Sequence, residues 1–389
     1  MPSEPAPARR NSDLRRHNSL EVVDLLRAHG RQSRAELGNL TTLSNQALAL
    51  ILNDLVQSGH AVEVETKGGQ RGRGRPAIRY EYDASRESVI SLYIGLRYCE
   101  VVACDGLGRP LTESVEFTPG WEVDRVVAEA ASHIADIMRQ CRLDRRSCHI
   151  GTVIHGWVNL GNDVATSATM SWDAVPIASL LAEATGITAT VHEASRAAAV
   201  AEYREGAAAG AHRAIVFNAG PEITATHLTD GLPDTGAGGL AGVIGACPVP
   251  DPDGDLVTID ALVGSVAIRD RYIEASGNHV DWVTEVFALA REGDAHARQV
   301  LELPIDALGY AASWLVTMTN PERLVLTGAM SEYDEALRGR LHGRIVDLTD
   351  PRILRTCRID FSSLGRQAWV RGGVHAALDH QRSIDPLAG

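Results

Sequence analysis

Two polar segments near the N-terminus contain the side chains best suited to recognising a nucleic acid. The first is Ser44-Asn45-Gln46, which comes directly before an apolar pattern of helical spacing. Asn and Gln side chains can each form two hydrogen bonds with the edge of an adenine. The second is Arg71-Gly72-Arg73-Gly74-Arg75-Pro76, in which glycines keep the chain slim between three arginines. Because arginine is favoured in the narrow, electronegative minor groove, both segments predict contact with a double-stranded DNA operator.

The surrounding sequence predicts elements that would present these residues to DNA. A helix over 13–29 ends at Gly30, and the capping box Ser33-Arg34-Ala35-Glu36 begins a short second helix. Ser44 caps a third helix, whose apolar residues fall in two rows on one face. Those rows are Ala47, Ile51, Leu55 and Leu48, Leu52, Val56. Alternating residues over 62–65 and 78–82 then predict a hairpin, and this order is that of a winged helix-turn-helix.

The charge of the chain differs between its two parts. The chain has 389 residues and a net charge of −13, and the first 80 residues have 12 Lys+Arg against 8 Asp+Glu. The head is therefore basic and the remainder acidic. Because an acidic body repels nucleic acid, DNA contact should lie in the head. We find no apolar run long enough to cross a membrane and no signal-peptide pattern, so we expect a cytoplasmic protein.

The six cysteines do not have the spacing of a structural zinc site. They are Cys99, Cys104, Cys141, Cys148, Cys247 and Cys357, with no CxC or CxxC pair among them. In a cytoplasmic protein of this size we expect reduced thiols that are mostly buried. We therefore predict neither a metal nor a cofactor.

The remainder of the chain contains alternating apolar strands and helices, several ending in glycine. Examples are Val89–Gly95, Ala214–Gly220 and the segment Asn320–Gly328, a turn followed by a strand and a glycine. Together with the head and the glycine-arginine tract, these segments resemble the transcriptional regulators of the ROK family, which also includes sugar kinases. The resemblance covers nearly the whole chain from Leu14 onward. It implies an actin-like, sugar-kinase (ribonuclease H-like) α/β body with two lobes and a cleft between them.

The resemblance also implies how the chain is divided. We expect a winged helix-turn-helix domain over residues 1–82, a first α/β lobe over 83–205 and a second lobe over 206–389. The C-terminal helix should return to the first lobe.

The resemblance implies a catalytic aspartate, but the sequence differs at this segment. Family kinases have a Val-Glu-Asn-Asp-Ala-like segment before an Ala-rich helix, and its aspartate takes the proton of a sugar hydroxyl. The matching segment here begins Val191-His192-Glu193. We place His192 at the asparagine position and Glu193 at the aspartate position. The longer side chain would displace the carboxylate from the position that catalysis requires.

Other family motifs are changed more severely. The phosphate-binding Gly-Thr-Gly-Ile-Gly turn corresponds to Ala219-Gly220-Pro221-Glu222-Ile223, where Pro221 removes a backbone donor and Glu222 adds a negative charge. In the sugar-binding segment, Val243 replaces a glutamate and Ala246 replaces a histidine. The zinc-binding cysteine tract is also missing. We therefore predict that the protein is not an enzyme.

The family's sugar site also predicts where an effector would bind. We expect the cleft between the lobes, with walls formed by Trp172, His192, Glu193 and Val243. The loss of hydroxyl-binding partners favours a less hydroxylated or cationic ligand over a polyol. A collapsed cleft without a ligand is the alternative.

Three functional hypotheses remain from the sequence. The first is a DNA-binding regulator, a repressor whose body dimerises and senses an unidentified effector, with a sugar-responsive repressor as the alternative form. The second is an enzyme with a regulatory head, an active sugar kinase. The third is a body reduced to a dimerisation scaffold. Paired operator half-sites favour a homodimer or a higher homo-oligomer.

Overall fold

The structure is a computed structural model and describes residues 11–65, 78–251 and 253–384. Arg71, Arg73 and Arg75 of the predicted wing lie outside these ranges.

The N-terminal part has the predicted order of helices and strands. Its elements are α1 (Asn11–His29), β1 (Gln32–Ser33), α2 (Arg34–Leu40), α3 (Asn45–Gln57), β2 (Ala61–Glu65) and β3 (Ile78–Tyr82). The strands form an antiparallel sheet in the order β1-β3-β2. The capping box at Ser33 and Glu36 is formed, and Ser44 Oγ accepts a hydrogen bond from Ala47 N at 3.2 Å. The buried face of α3 packs with α1 in one apolar core.

The first lobe of the body is built on a five-stranded sheet in the order β11-β7-β4-β5-β6. Its strands are β4 (Ser88–Ile94), β5 (Cys99–Asp105), β6 (Val115–Phe117), β7 (Cys148–Ile154) and β11 (Thr188–Glu193). A small second sheet contains β8 (Trp157–Val158), β9 (Ala165–Ser167) and β10 (Trp172–Val175). The helices of this part of the chain are α4 (Val123–Cys141), α5 (Ile177–Thr185) and α6 (Ala194–Glu205).

The second lobe has a sheet of the same size in the order β14-β13-β12-β17-β18. Its strands are β12 (Arg213–Ala219), β13 (Ile223–Thr229), β14 (Leu232–Pro233), β17 (Arg323–Gly328) and β18 (Arg358–Phe361), and β15 (Pro248–Pro250) pairs with β16 (Leu256–Thr258). Its helices are α7 (Ile259–Val263), α8 (Ser265–Ser276), α9 (Val283–Glu292), α10 (Ala295–Val300), α11 (Glu302–Thr319), α12 (Glu335–Leu348) and α13 (Pro351–Leu354). The two lobes confirm the predicted actin-like, sugar-kinase fold class.

The last helix, α14 (Gln367–Ile384), returns to the first lobe and packs on β4, β7 and α6. Ser91 Oγ donates a hydrogen bond to Val370 O at 2.8 Å in this contact. A Cβ atom on Gly372 would lie only 2.3 Å from Ala197 O, so the close approach of α14 to α6 requires glycine.

A buried group of charged side chains joins the head to the body. Arg27 of α1 has a side chain only 7% exposed, and its guanidinium donates to Tyr82 Oη at 3.2 Å and to Glu87 Oε1 at 3.1 Å. Arg382 of α14 donates to Gly106 O at 3.1 Å. Burial, and then the neighbouring charge of Arg27, lower the pKa of Arg382. Glu87 is therefore the main counter-ion for two buried guanidinium groups.

This arrangement predicts that Glu87→Gln destabilises the junction between head and body. Removing one partner of a buried ion pair leaves an uncompensated charge, and we expect a loss of about 2 kcal/mol, measured by thermal or urea unfolding. Asp24→Asn is the matched control, because Asp24 also pairs with Arg27 but is 69% exposed. Equal losses in the two variants would contradict the role given to Glu87.

Candidate functional site

The predicted DNA-contacting residues lie at the exposed start of α3. Ser44, Asn45 and Gln46 are all exposed. Ser44 uses its hydroxyl oxygen to cap the helix, whereas the side chains of Asn45 and Gln46 have no hydrogen-bond partner among the described residues. The two amides are therefore free to bind an external partner.

The outer face of α3 continues beyond the residues that sequence reasoning selected. Leu50 is 57% exposed and Asn53 is exposed, four and seven residues after Gln46. Residues at this spacing share one helix face. An apolar side chain in the major groove can contact a thymine methyl group. The clue in the sequence was that Leu50 belongs to neither apolar row of the helix.

Trp172 is a core residue of the first lobe and does not line the cavity that the structure has between the lobes. Its side chain is 3% exposed, and its indole nitrogen donates to Trp121 O at 2.7 Å. It packs in the same cluster as the apolar residues of α4 and α5. The prediction of a cleft-lining Trp172 is corrected, because strand β10 turns this side chain into the core.

His192 also lies away from that cavity, on the side of the first-lobe sheet that α14 covers. Its Nε2 is 2.9 Å from Thr190 Oγ1, and the ring of His149 on the neighbouring strand stacks on His380 of α14 at 4.0 Å. Burial lowers the pKa of His192 to about 4. A buried, neutral imidazole facing a helix has a structural role here.

Glu193 ends β11 and caps α6. Its carboxylate accepts hydrogen bonds from Ser195 N at 2.7 Å and Arg196 N at 2.9 Å. When the family segment Val-Glu-Asn-Asp-Ala is laid without a gap on 191–195, the aspartate falls on Ala194, which is fully buried. This corrects the placement of His192 and Glu193 in the sequence analysis, because Glu193 then takes the asparagine position. Its carboxylate is engaged by the helix rather than free to act as a base.

The loop before Val243 closes one half of the cleft by direct contacts between the lobes. Arg196 Nη1 of α6 donates to Gly239 O at 2.6 Å, and Trp157 Nε1 donates to Gly238 O at 3.1 Å. Val243 itself is 41% exposed. The part of the cleft beside Gly238 and Gly239 is thus bridged by side chains of the first lobe.

The segment that replaces the family's phosphate turn is engaged internally. Gly220 O accepts from Ser265 N at 2.9 Å, and Ile223 N donates to Asp260 Oδ1 at 2.6 Å. Burial raises the pKa of Glu222, with further contributions from the charges of Asp260 and Glu193. A turn surrounded by carboxylates does not favour a phosphate.

The other half of the cleft contains an open cavity of about 260 Å³. Its walls come from the β4–β5 turn, the start of α14, the two glycine turns of the second lobe and the starts of α8 and α9. Aromatic rings are prominent, and they are Tyr93, Tyr98, His155, Trp282 and Trp369. None of the four predicted effector residues lines this cavity, and the Ala219–Ile223 turn contributes Gly220 and Pro221.

Sequence reasoning missed this cavity, although one signal was available. Tyr93 and Tyr98 flank the hairpin turn at Gly95, at the end of the strand that the sequence predicts. The contribution of Trp369 could not be seen, because it comes from a helix almost 280 residues away along the chain.

The described residues contain neither a metal-binding cluster nor a membrane-spanning helix. In ranges 11–65, 78–251 and 253–384, no group of three or more His, Cys, Asp or Glu side chains could hold a metal ion. All six cysteines are free thiols, of which only Cys247 is exposed. No described helix is both long and apolar enough to cross a membrane.

The fold and the site define a two-lobed α/β protein of the sugar-kinase type with a winged helix-turn-helix head. The chain belongs to the ROK family, whose model matches residues 89–379. It is similar to a transcriptional regulator of Mycobacterium tuberculosis, with 24% identity over 81% of this chain and 75% of that protein.

Two further similarities extend over nearly the whole chain. The xylose repressor of Caldicellulosiruptor bescii is 20% identical over 96% of this chain and 98% of its own length. The crystal structure of a ROK-family transcriptional regulator, described as a homologue of the E. coli MLC protein, has a TM-score of 0.78. It is 20% identical and covers 97% of this chain and 100% of that one. The similarity in fold therefore includes the head.

The buried histidines predict that stability falls in mild acid. His149 is 1% exposed, and burial, followed by the charges of His380 and His192, lowers its pKa to about 3. The unfolded chain binds a proton near pH 6.5, whereas the folded protein does not, so stability decreases as pH falls below that value. Between pH 7 and pH 5, His149 alone should account for about 2 kcal/mol.

Urea unfolding at the two pH values would measure this loss. The His149→Gln variant should lose less stability between pH 7 and pH 5 than the parent protein does. The control is His342→Gln, at an exposed position of α12, which should leave the pH dependence unchanged. An unchanged dependence in His149→Gln would show that other groups cause the acid sensitivity.

Proposed function

We propose that this protein is a DNA-binding transcriptional regulator that acts as a repressor in the cytoplasm. The observation that carries this proposal is the first turn of α3, where Asn45 and Gln46 project from a helix with a fully apolar back face. This helix is narrow enough for the major groove, and its first turn is where a helix-turn-helix protein contacts base edges. The names of the similar proteins, a transcriptional regulator and a xylose repressor, support the same function.

The body of this regulator is not a kinase. Ala194 stands where the family has its catalytic aspartate, and the carboxylate of the preceding Glu193 is engaged by backbone amides. The turn at Pro221 and Glu222 has lost the donors and the charge that would favour a phosphate. Loss of both the base and the phosphate site leaves neither of the two main contributions to phosphoryl transfer.

The body instead serves in dimerisation and in binding a small-molecule effector. A homodimer would place two α3 helices on two half-sites of one operator. For the effector, the open cavity between the lobes is the available volume, since contacts from Arg196 and Trp157 close the other half of the cleft.

A sugar-responsive repressor is the second candidate. The xylose repressor among the similar proteins favours it, and that protein matches nearly the full chain. The closed half of the cleft argues against it here, because Val243 and Ala246 offer no hydrogen bonds to hydroxyl groups. Addition of xylose, glucose or N-acetylglucosamine to a protein–operator complex would separate the two candidates.

We predict that Asn45→Ala combined with Gln46→Ala weakens binding to the specific operator. Each lost base contact should cost roughly 1–3 kcal/mol and relax selectivity at its base pair, as measured by mobility shift and footprinting. Gln57→Ala is the control, because Gln57 is also exposed but lies at the opposite end of α3. If the double variant retains both affinity and selectivity, α3 is not the recognition helix.

A separate prediction concerns the arginines of the proposed wing. Replacing Arg71, Arg73 and Arg75 with Ala should weaken binding to all sequences and flatten its salt dependence. The slope should fall by roughly one unit per lost phosphate contact, measured by titrations at several salt concentrations. An unchanged slope would show that these arginines do not contact the DNA backbone.

A further inference from the structure

The cavity between the lobes has one flat, apolar wall. The rings of Tyr93 and Trp369 stack with their centroids 5.3 Å apart and their planes within 7°. Tyr98 lies against Tyr93 at 5.5 Å, and His155 meets both Tyr93 and Trp369 edge-on. Aromatic walls of this kind bind planar, apolar ligand surfaces through stacking and edge contacts.

Two polar groups of this wall bond to each other. Tyr93 Oη and His155 Nε2 form a hydrogen bond of 3.0 Å. Burial lowers the pKa of His155 to about 4, so its imidazole is neutral at neutral pH. The wall therefore presents aromatic faces and edges to a ligand and has little need of hydroxyl groups as hydrogen-bond partners.

The opposite side of the cavity is formed by the beginnings of two helices. Ser265 and Val266 open α8, and Val283 and Thr284 open α9. The N-terminal amides of a helix carry a partial positive charge that favours anions. Part of this capacity is used internally, because Ser265 N donates to Gly220 O at 2.9 Å and the Glu285 carboxylate accepts from Trp282 N at 2.9 Å.

Two polar side chains at the cavity have unused hydrogen-bonding capacity. Asn218 is 97% buried, and its amide makes a single long bond of 3.4 Å, to Glu222 O. Arg97 stacks over the ring of Trp282 at 4.4 Å and has no hydrogen bond or ion pair with any residue that the structure describes. A guanidinium over an aromatic ring keeps its N–H donors directed outward in its own plane, available to a carboxylate.

The other arginines of the cavity are already paired. Arg269 and Arg366 line it, and they pair with Asp270 and Glu116 outside its lining. Two carboxylates, Asp281 and Glu332, lie at its exposed rim. Asp281 Oδ1 is 3.1 Å from His279 Nε2. Among the described residues, Arg97 is therefore the arginine of the lining that keeps its charge available to a ligand.

The volume of the cavity limits the size of a ligand. About 260 Å³ equals the volume of about nine water molecules. That is enough for a single-ring acid and falls below the pockets of drug-sized ligands.

We propose that this cavity is the effector site and that its ligand is a small aromatic carboxylate. The ring packs against Tyr93 and Trp369, and the carboxylate faces Arg97 and Asn218. This inference deepens the proposed function, because it names the ligand class of the sensing body. It replaces the expectation of a cationic ligand, which was based on His192 and Glu193.

Helix α14 connects this site with the head. Trp369 near its start lines the cavity, and Arg382 near its end lies in the buried charged group with Arg27 and Glu87. These two residues are 13 positions apart, which corresponds to about 20 Å along a helix. A ligand that moves the start of α14 would therefore act on the contact beneath the DNA-binding head.

Calorimetry with the full chain tests the ligand class directly. Benzoate and phenylacetate are the probes, benzyl alcohol lacks their charge, and cyclohexanecarboxylate lacks their aromatic ring. We expect saturable binding of the two aromatic acids in the micromolar to millimolar range and at least about tenfold weaker binding of the other two compounds. Glucose, xylose, N-acetylglucosamine and ATP should not bind.

Two variants assign the contacts, each with a matched control. Arg97→Gln should weaken the binding of benzoate about tenfold and abolish the preference for benzoate over benzyl alcohol. Arg139→Gln, on the exposed side of α4, should change neither. Trp369→Leu should abolish the preference for benzoate over cyclohexanecarboxylate. Trp314→Leu, at a half-exposed position of α11, should leave that preference unchanged. Because Arg97 is exposed, its variant tests the site even if Trp369→Leu fails to fold.

The outcomes separate this inference from the proposed function. If no aromatic acid binds at millimolar concentration, or if binding is unaffected by Arg97→Gln, the ligand assignment is wrong, whatever the result of DNA binding. If the acids bind but the free protein recognises no operator, the ligand assignment stands and the regulatory function is wrong. Binding of a sugar or of ATP in place of the acids would also overturn the assignment.

Discussion

Glycine and alanine at the crossing of α14 with α6 and β7 let these elements approach more closely than larger side chains permit. A Cβ atom on Gly372 would lie 2.3 Å from Ala197 O, and one on Gly151 would lie 2.2 Å from Gly373 O. Since both positions require glycine, the depth of α14 against the first lobe is set by backbone contact. That depth brings Trp369 beside Tyr93 at one end of the helix and Arg382 beside the buried charges at the other.

Helix α6 has a complementary role, because it contacts the sheets of both lobes. Its cap, Glu193, is engaged by amides of its own first turn, and Ser195 and Arg196 then bind Thr224 and Gly239 O of the second lobe at 2.6 Å each. The start of α6 thus holds the two lobes together at one side of the cleft.

The fold could be predicted from the sequence where local signals determine structure. Caps at Ser33 and Ser44 and the two apolar rows of α3 depend on residues within about one or two turns, so the head followed from them. The site could not be predicted in this way. Trp172 and His192 were assigned from their positions along the chain, but the face of a strand on which a side chain lies depends on its neighbours in the sheet. The aromatic wall combines Tyr93 with Trp369, and no short-range pattern links them.

The distribution of charge gives the junction between head and body a particular importance. The first 80 residues have a net charge of +4 and the remainder −17, so DNA that is attracted to the head is repelled by the body. The orientation of the head therefore decides how near the acidic surface comes to the DNA backbone. That orientation rests in part on Glu87, which faces two buried guanidiniums, Arg27 from the head and Arg382 from α14. Because the carboxylate cannot neutralise both fully, a small displacement of Arg382 changes the electrostatic free energy of the junction more than it would at an exposed ion pair. The same helix that forms one wall of the cavity thus contributes one of the charges beneath the DNA-binding domain.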